Sequence, residues 1–124
     1  MNIFVKLKRF FAKKNLLMQI YLVKDKYNAL RDIENSIQFV SKKDFDYVRA
    51  CEYFEFCTSS FRLEILDICK SNIYLKNFLF EVDNSLFISY CAELNIPLEE
   101  VTALREIKEY FIKKYFIKDE QTDK

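Results

Sequence analysis

The stretch DFDYVRACEYFEFC, residues 44–57, crowds aromatic residues, carboxylates and two of the four cysteines into about four helical turns. Each residue of a helix turns the chain by about 100°, so the stretch divides into two faces. One broad face is apolar and consists of Tyr47, Ala50, Cys51, Tyr53, Phe54 and Cys57. The other side combines apolar and acidic residues, namely Phe45, Val48 and Phe56 beside Asp44, Glu52 and Glu55. The pattern predicts a helix with apolar residues on both sides.

Such a helix has two interpretations. Large apolar side chains are usually core residues, which favours a central helix buried nearly all round, with its carboxylates at the rim. Alternatively, the mixed face is a docking surface for a basic, partly apolar partner. The burial of Phe45 and Phe56 distinguishes the two. If both pack inside, the docking surface moves to the acidic residues between Glu81 and Glu100.

The composition of the whole chain favours helices. The chain has 124 residues, 51% of them hydrophobic and 31% charged, which suits one folded domain. It contains no glycine and one proline. Because β-hairpin turns need positive φ angles that glycine usually supplies, the composition predicts an all-α fold. We expect a single compact domain of about five to seven helices, with stacked helical hairpins as one arrangement.

Charge divides the chain into three parts. Residues 1–14 are predicted to form a basic amphipathic helix, residues 15–118 the helical core domain, and residues 119–124 a polar tail. In the first part, Phe4, Leu7 and Phe11 share a face among five lysines and arginines. We expect this Phe face to pack on the core while the lysines are solvated. The alternatives are binding to nucleic-acid phosphates or to an anionic membrane surface.

Helical spacing predicts two core stripes, one of Leu16, Ile20, Val23, Tyr27, Leu30 and Ile37, the other of Val101, Leu104, Ile107, Phe111, Ile112 and Tyr115.

Capping residues predict the bounds of the core helices. Asn15 is expected to cap a helix over 16–40, and Thr58-Ser59-Ser60 to separate a helix that ends near 57 from one over 60–70. Ser71 is expected to cap a helix that starts at 72, and a break at 83–85 leads into a helix over 86–94. Pro97 marks the start of the last helix, whose first turn carries two glutamates.

The residue types that are missing exclude most catalytic arrangements. Without histidine there is no Ser-His-Asp or Cys-His pair, and without glycine there is no phosphate-binding loop or dinucleotide fingerprint. Glu52-x-x-Glu55 and Glu106-x-x-Glu109 resemble half of a di-iron carboxylate site, but the Glu-x-x-His half has no counterpart here. The four cysteines form no Cys-x-x-Cys pair and are predicted to be reduced thiols in the cytoplasm. We therefore expect no metal, no cofactor and no enzymatic activity.

The net charge of +1 conceals two acidic segments. Residues 44–67 contain six acidic residues against two arginines, and residues 81–100 contain five acidic residues and no basic one. Acidic patches that include exposed aromatic rings suit a basic protein partner, although acids that merely solvate outer helix faces give the same pattern. The predicted partner-binding residues are Asp44, Phe45, Val48, Glu52, Glu55, Phe56, Glu81, Asp83 and Glu93.

These patterns favour a small non-catalytic binding protein that covers a basic site on a protein partner, such as the substrate cleft of a nuclease. In character the chain is similar to the immunity proteins and antitoxins that bacteria carry beside their toxins. One alternative is a nucleic-acid or anionic-membrane binder that works through residues 1–14 with Lys113, Lys114 and Lys118. The other is a structural homo-oligomer. Nucleic acid and membrane are the less favoured partners, and both a monomer and a homodimer fit the sequence.

Overall fold

A single long helix, α1 (Ile3–Ile37), begins the computed structural model, which describes residues 2–41, 43, 45–81 and 85–111. Asn2 caps this helix, because its Oδ1 accepts a hydrogen bond of 3.0 Å from the backbone N–H of Phe4. The predicted boundary at Asn15 is wrong, since that residue lies inside the helix. An isolated asparagine costs a helix interior no more than about 0.7 kcal/mol, and its neighbours are strong helix formers.

The second helix, α2 (Phe45–Cys69), packs antiparallel to α1. Going up α1, Gln19 contacts Ser71 and Lys26 contacts Glu64, so the partner's number falls as the α1 number rises. The predicted break at Thr58-Ser59-Ser60 is wrong, because α2 runs through it. The Thr58 hydroxyl donates to the backbone carbonyls of Glu55 at 2.8 Å and Phe54 at 3.2 Å, so it is satisfied without interrupting the helix.

Three shorter helices complete the fold: α3 (Ile73–Phe80), α4 (Ser85–Glu93) and α5 (Leu98–Phe111). Asn72, rather than the predicted Ser71, caps α3 by accepting the Leu75 N–H. After α4 the chain turns at Asn95, whose φ of 56° is left-handed, and the Ile96 N–H bonds back to the Cys91 carbonyl. Glycine usually fills such a position, and asparagine is the common substitute in a chain without glycine.

The core lies where the middle of α1, the C-terminal half of α2 and helices α3 to α5 meet. Helix α5 runs parallel to α1, since Lys24 contacts Glu100 and, further along both helices, Glu34 contacts Tyr110. The buried α1 residues are Leu16, Ile20, Val23 and Leu30, and those of α5 include Val101, Leu104 and Ile107. These positions were predicted from their helical spacing. The all-α prediction is confirmed: the described residues form one compact domain of five helices without a strand.

The stretch that opened the sequence analysis is not the centre of the core. From Asp46 to Cys57 no side chain is fully buried, and Tyr53, assigned to the core face, is 59% exposed. Among residues 46–69 of α2 the first buried position is Phe61. Helix α3 follows the C-terminal end of α2 and packs against α2, as α1 does. The prediction of a helix buried nearly all round is therefore wrong.

The N-terminal part of α1 is likewise exposed. Among residues 2–15 none is buried, and Phe4 and Phe11 are 68% and 57% exposed. The prediction that the Phe face of residues 1–14 packs on the core is wrong. Within the part of the chain that the structure describes, no helix has the length and apolar character needed to cross a membrane.

Candidate partner-binding surface

One exposed face of α2 brings together four of the predicted partner-binding residues. Relative to the helix axis, Val48, Glu52, Glu55 and Phe56 fall within an arc of about 100°, pointing away from the buried Phe61 and Ile65. All four are exposed, and Phe56 retains 70% of its accessible surface. The structure therefore places the mixed apolar and acidic side of this helix in solvent.

Leu63 belongs to the same face and was missed in the sequence analysis, which grouped it with apolar residues of a separate short helix. It is 68% exposed and lies seven residues after Phe56, a spacing of almost two full turns. That spacing could have placed Leu63 on the same face as Phe56, but the predicted break at Thr58 assigned the two residues to different helices. We call Val48, Glu52, Glu55, Phe56 and Leu63 the α2 outer face; it extends for about 22 Å along the helix.

The negative charge of α2 is concentrated in its N-terminal half. Glu64 forms an ion pair of 3.3 Å with Lys26, and Asp67 one of 3.0 Å with Lys70, so a lysine balances each of these acids. Within the described residues, neither Glu52 nor Glu55 forms an ion pair. Two exposed carboxylates thus lie beside the apolar side chains of the α2 outer face, and the exposed Arg49 and Arg62 lie just beyond its two edges.

The remaining predicted residues lie elsewhere or outside the described residues. Glu81 is exposed at the C-terminal end of α3, and Glu93 is exposed at the last position of α4. Neither lies on α2, so the acidic residues of the two sequence segments lie on different helices. Asp44, Asp83 and the side chain of Phe45 lie outside the described residues.

A shallow groove of about 180 Å³ runs beside the α2 outer face, between α1 and α2. Phe56 stands at its edge, and the aliphatic side chains of Ala29, Leu30 and Ile33 form part of the α1 wall. The groove offers a partner an apolar recess next to an exposed aromatic ring. The Lys26–Glu64 ion pair also lines it.

A larger groove of about 610 Å³ lies between α1 and the start of α3. Its amides bond to each other: the Asn72 side chain donates to Gln19 Oε1 at 3.2 Å, and Gln19 donates to Ser71 Oγ at 3.1 Å. Tyr74 and Tyr90 stack against one another beside them, with ring centroids 4.4 Å apart. Because these polar groups satisfy one another, they tie α1 to the turn before α3 and do not converge on a ligand.

A polar cluster joining α1 to α5 was also missed in the sequence analysis. The Tyr110 hydroxyl donates to Glu34 Oε2 at 2.9 Å, Arg31 pairs with the same carboxylate, and the Tyr27 ring meets Tyr110 edge-on at 5.4 Å. Burial raises the pKa of Tyr27 above its ordinary value. The cluster holds two helices together. No sequence signal pointed to it, since its members are 76 residues apart along the chain.

The four cysteines divide by burial. Cys69 and Cys91 are buried, and desolvation raises the pKa of each thiol to about 11, so both are protonated at neutral pH. Cys51 and Cys57 are partly exposed and free. Among the described residues, no group of three cysteines or carboxylates is arranged to hold a metal ion.

No protein-family model, no curated protein and no solved structure matches the chain.

Proposed function

We propose that the chain is a non-catalytic binding protein that uses the α2 outer face to cover a basic, partly apolar site on a protein partner. One observation carries the proposal: Phe56 and Leu63 are exposed on the same helix face as Glu52 and Glu55, which have no ion-pair partner among the described residues. In this proposal the protein acts as bacterial immunity proteins and antitoxins act on their toxins, with no chemistry of its own.

The two residue types on this face have different roles in binding. Large apolar side chains that enter a dry pocket supply most of the free energy of a protein interface. Carboxylates beside them attract a basic partner, raise the association rate and oppose the binding of acidic proteins. A helix face with both suits a target whose own surface is basic, such as the nucleic-acid-binding cleft of a nuclease.

Charge reversal tests the acidic component. The partner is first isolated on the immobilised full-length chain from the source cells, identified and purified, and binding is then measured by titration calorimetry. Glu52→Lys with Glu55→Lys is expected to weaken binding about tenfold or more, through lost attraction and new repulsion. Glu106→Lys with Glu109→Lys is the matched control, since these acids are exposed on α5 at the same spacing. Equal effects of the two double variants would contradict the proposal.

Truncation tests the apolar component. Phe56→Ala is expected to cost about 2 kcal/mol of binding free energy, which is roughly a 30-fold increase in Kd. Leu98→Ala serves as the control, because Leu98 is 79% exposed at the start of α5. Both variants should keep the helical circular dichroism of the original protein, since neither side chain is buried. If the Phe56→Ala protein binds as tightly as the control, Phe56 is not part of the interface.

Occlusion predicts that binding also suppresses the activity of the partner. A one-to-one mixture with the purified partner should suppress whatever activity the partner shows, and the suppression should disappear with the Glu52 and Glu55 reversals. A tight complex in which the partner remains fully active would disprove occlusion while leaving binding intact.

A further inference from the structure

The outer side of α1 carries an apolar stripe that the proposed function does not use. Eight exposed side chains fall within an arc of about 120° around the helix axis. They are Ile3, Phe4, Leu7, Phe10, Phe11, Met18, Tyr21 and Leu22. This set, the α1 outer face, extends for about 29 Å along the helix. It points directly away from the core stripe of Leu16, Ile20 and Val23, so the domain cannot bury both.

The charged residues of α1 before Asp25 are all basic. The first acidic residue of the chain is Asp25, and five basic residues precede it between positions 6 and 14. On the helix, Lys6 and Lys8 lie just beyond the two edges of the stripe. The ammonium of Lys14 stands 4.9 Å from the centre of the Phe10 ring. Lys14 lies within the arc of the stripe, whereas Arg9 and Lys13 lie farther round the helix. The stripe and its two edges therefore carry three lysines between residues 6 and 14.

We propose that the α1 outer face binds the surface of an anionic lipid membrane, with α1 lying in the plane of the interface. In this arrangement the aromatic and aliphatic side chains enter the boundary between headgroups and acyl chains, while the lysines extend to lipid phosphates and carboxylates. A membrane was the less favoured partner because residues 1–14 are few and tethered to a helical domain, on which their Phe face was expected to pack. The exposure of Phe4 and Phe11 contradicts that packing.

Two other occupants fit less well. Nucleic acid would use the lysines but leave eight apolar side chains in water, since phosphate contacts need no apolar stripe. A second copy of the chain would cover the apolar side chains, but it would bring together two sets of the three lysines on and beside the stripe. An anionic membrane accommodates the apolar side chains together with Lys6, Lys8 and Lys14.

Membrane binding leaves the α2 outer face free. Since α1 and α2 are antiparallel and Lys26 lies opposite Glu64, residues 48–63 of α2 lie beside the part of α1 that follows residue 26. The α1 outer face ends at Leu22, and Asp25 follows on the same side of the helix. The two surfaces thus occupy opposite ends of the hairpin, and the protein can hold a partner at the membrane.

Vesicle flotation with the full-length chain tests the proposal. The probes are vesicles of phosphatidylcholine alone and of an equal mixture of phosphatidylserine and phosphatidylcholine. We expect flotation with the mixed vesicles and at least about tenfold weaker partition onto phosphatidylcholine. Lys6→Gln with Lys8→Gln should lower partition onto the mixed vesicles about 25-fold. Phe4→Gln with Phe11→Gln should lower it by at least as much, whereas Phe39→Gln, at an 89% exposed position outside the stripe, should leave it unchanged.

Four outcomes would overturn the proposal. The first is no flotation with mixed vesicles at low salt. The second is partition that Phe39→Gln reduces as much as the Phe4 and Phe11 pair does. The third is vesicle binding weaker than binding to a DNA or RNA fragment at the same salt. The fourth is a dimer in sedimentation that only the Phe4 and Phe11 changes dissociate. These results are independent of the α2 tests, because charge reversal at Glu52 and Glu55 should leave flotation intact.

Discussion

The outer faces of α1 and α2 are constructed alike and carry opposite charge. Each consists of apolar side chains on the side of a long helix that points away from the core. Lysines border the α1 face, whereas Glu52 and Glu55 accompany Phe56 and Leu63 on α2. On both helices the side opposite the core residues is exposed. From the difference in charge we propose two different partners, a lipid surface for α1 and a basic protein for α2.

Each outer face can be compared with the core face of its own helix. Met18 on α1 is exposed and Ile20, two residues on, is completely buried. On α2 the same relation holds between the exposed Leu63 and the buried Ile65. Apolar residues two positions apart point to different sides of a helix, so each pair provides an internal test of which face the core uses.

The largest expected effect separates the two faces of α1. Ile20→Ala should lower the free energy of unfolding by about 3 kcal/mol, because it removes buried methyl groups and leaves a cavity. Met18→Ala should change it by less than about 0.5 kcal/mol, as substitutions at exposed positions usually do. Urea denaturation followed by circular dichroism measures both values. Similar losses for the two variants would mean that the α1 outer face is buried in solution.

A smaller effect separates the partly exposed thiols of α2 from the buried thiols of α2 and α4. Burial raises the folded-state pKa of Cys69 on α2 and Cys91 on α4 to about 11 from an ordinary value of 9.0. The unfolded chain therefore loses these protons first, and stability present below pH 9 should fall between about pH 9 and 11, by roughly 2 kcal/mol for each thiol. Burial also raises the pKa of Tyr27 and of Tyr90, which act in the same direction at higher pH.

Urea titrations at several alkaline pH values measure this loss. The variant with Cys69→Ala and Cys91→Ala should show a weaker pH dependence, although it starts from lower stability. In the native protein, a thiol reagent at neutral pH should modify Cys51 and Cys57, which are partly exposed, before Cys69 and Cys91. Equal rates at all four thiols would show that Cys51 and Cys57 are no more accessible than Cys69 on α2 and Cys91 on α4.

The smallest expected effect concerns the ion pair that joins the two helices. Lys26 and Glu64 are each about half exposed, and pairs of this kind contribute little to stability. Glu64→Gln should therefore lower the free energy of unfolding by no more than about 0.5 kcal/mol, and less in added salt. A loss well above 1 kcal/mol at physiological salt would show that charge, more than apolar packing, holds the hairpin together.

Sequence patterns predicted the helices far better than their ends. The stripes of α1 and α5 follow the helical repeat, so their buried members were identified directly. The boundaries predicted at Asn15 and Thr58 were wrong because the unfavourable helix propensities of these residues are small, below about 1 kcal/mol. The packing of the residues on either side of them outweighs this cost. The candidate site was predicted in part, since Val48, Glu52, Glu55 and Phe56 do share an exposed face. Leu63 was missed because a break was predicted at Thr58, where the helix is continuous.

The sequence by itself determined that the protein is all-α, since a chain without glycine and with regular apolar stripes has few other ways to satisfy its backbone. It also determined which helix positions are apolar and where the charges lie. Only the tertiary structure decided which of the two apolar faces of α1 and of α2 is core. Periodicity assigns residues to a face, but burial depends on how many other helices surround that segment. Helix α5 packs along α1 from Lys24 to Glu34 and α3 packs against α2, whereas residues 2–15 of α1 and its cap and residues 46–60 of α2 include no buried position.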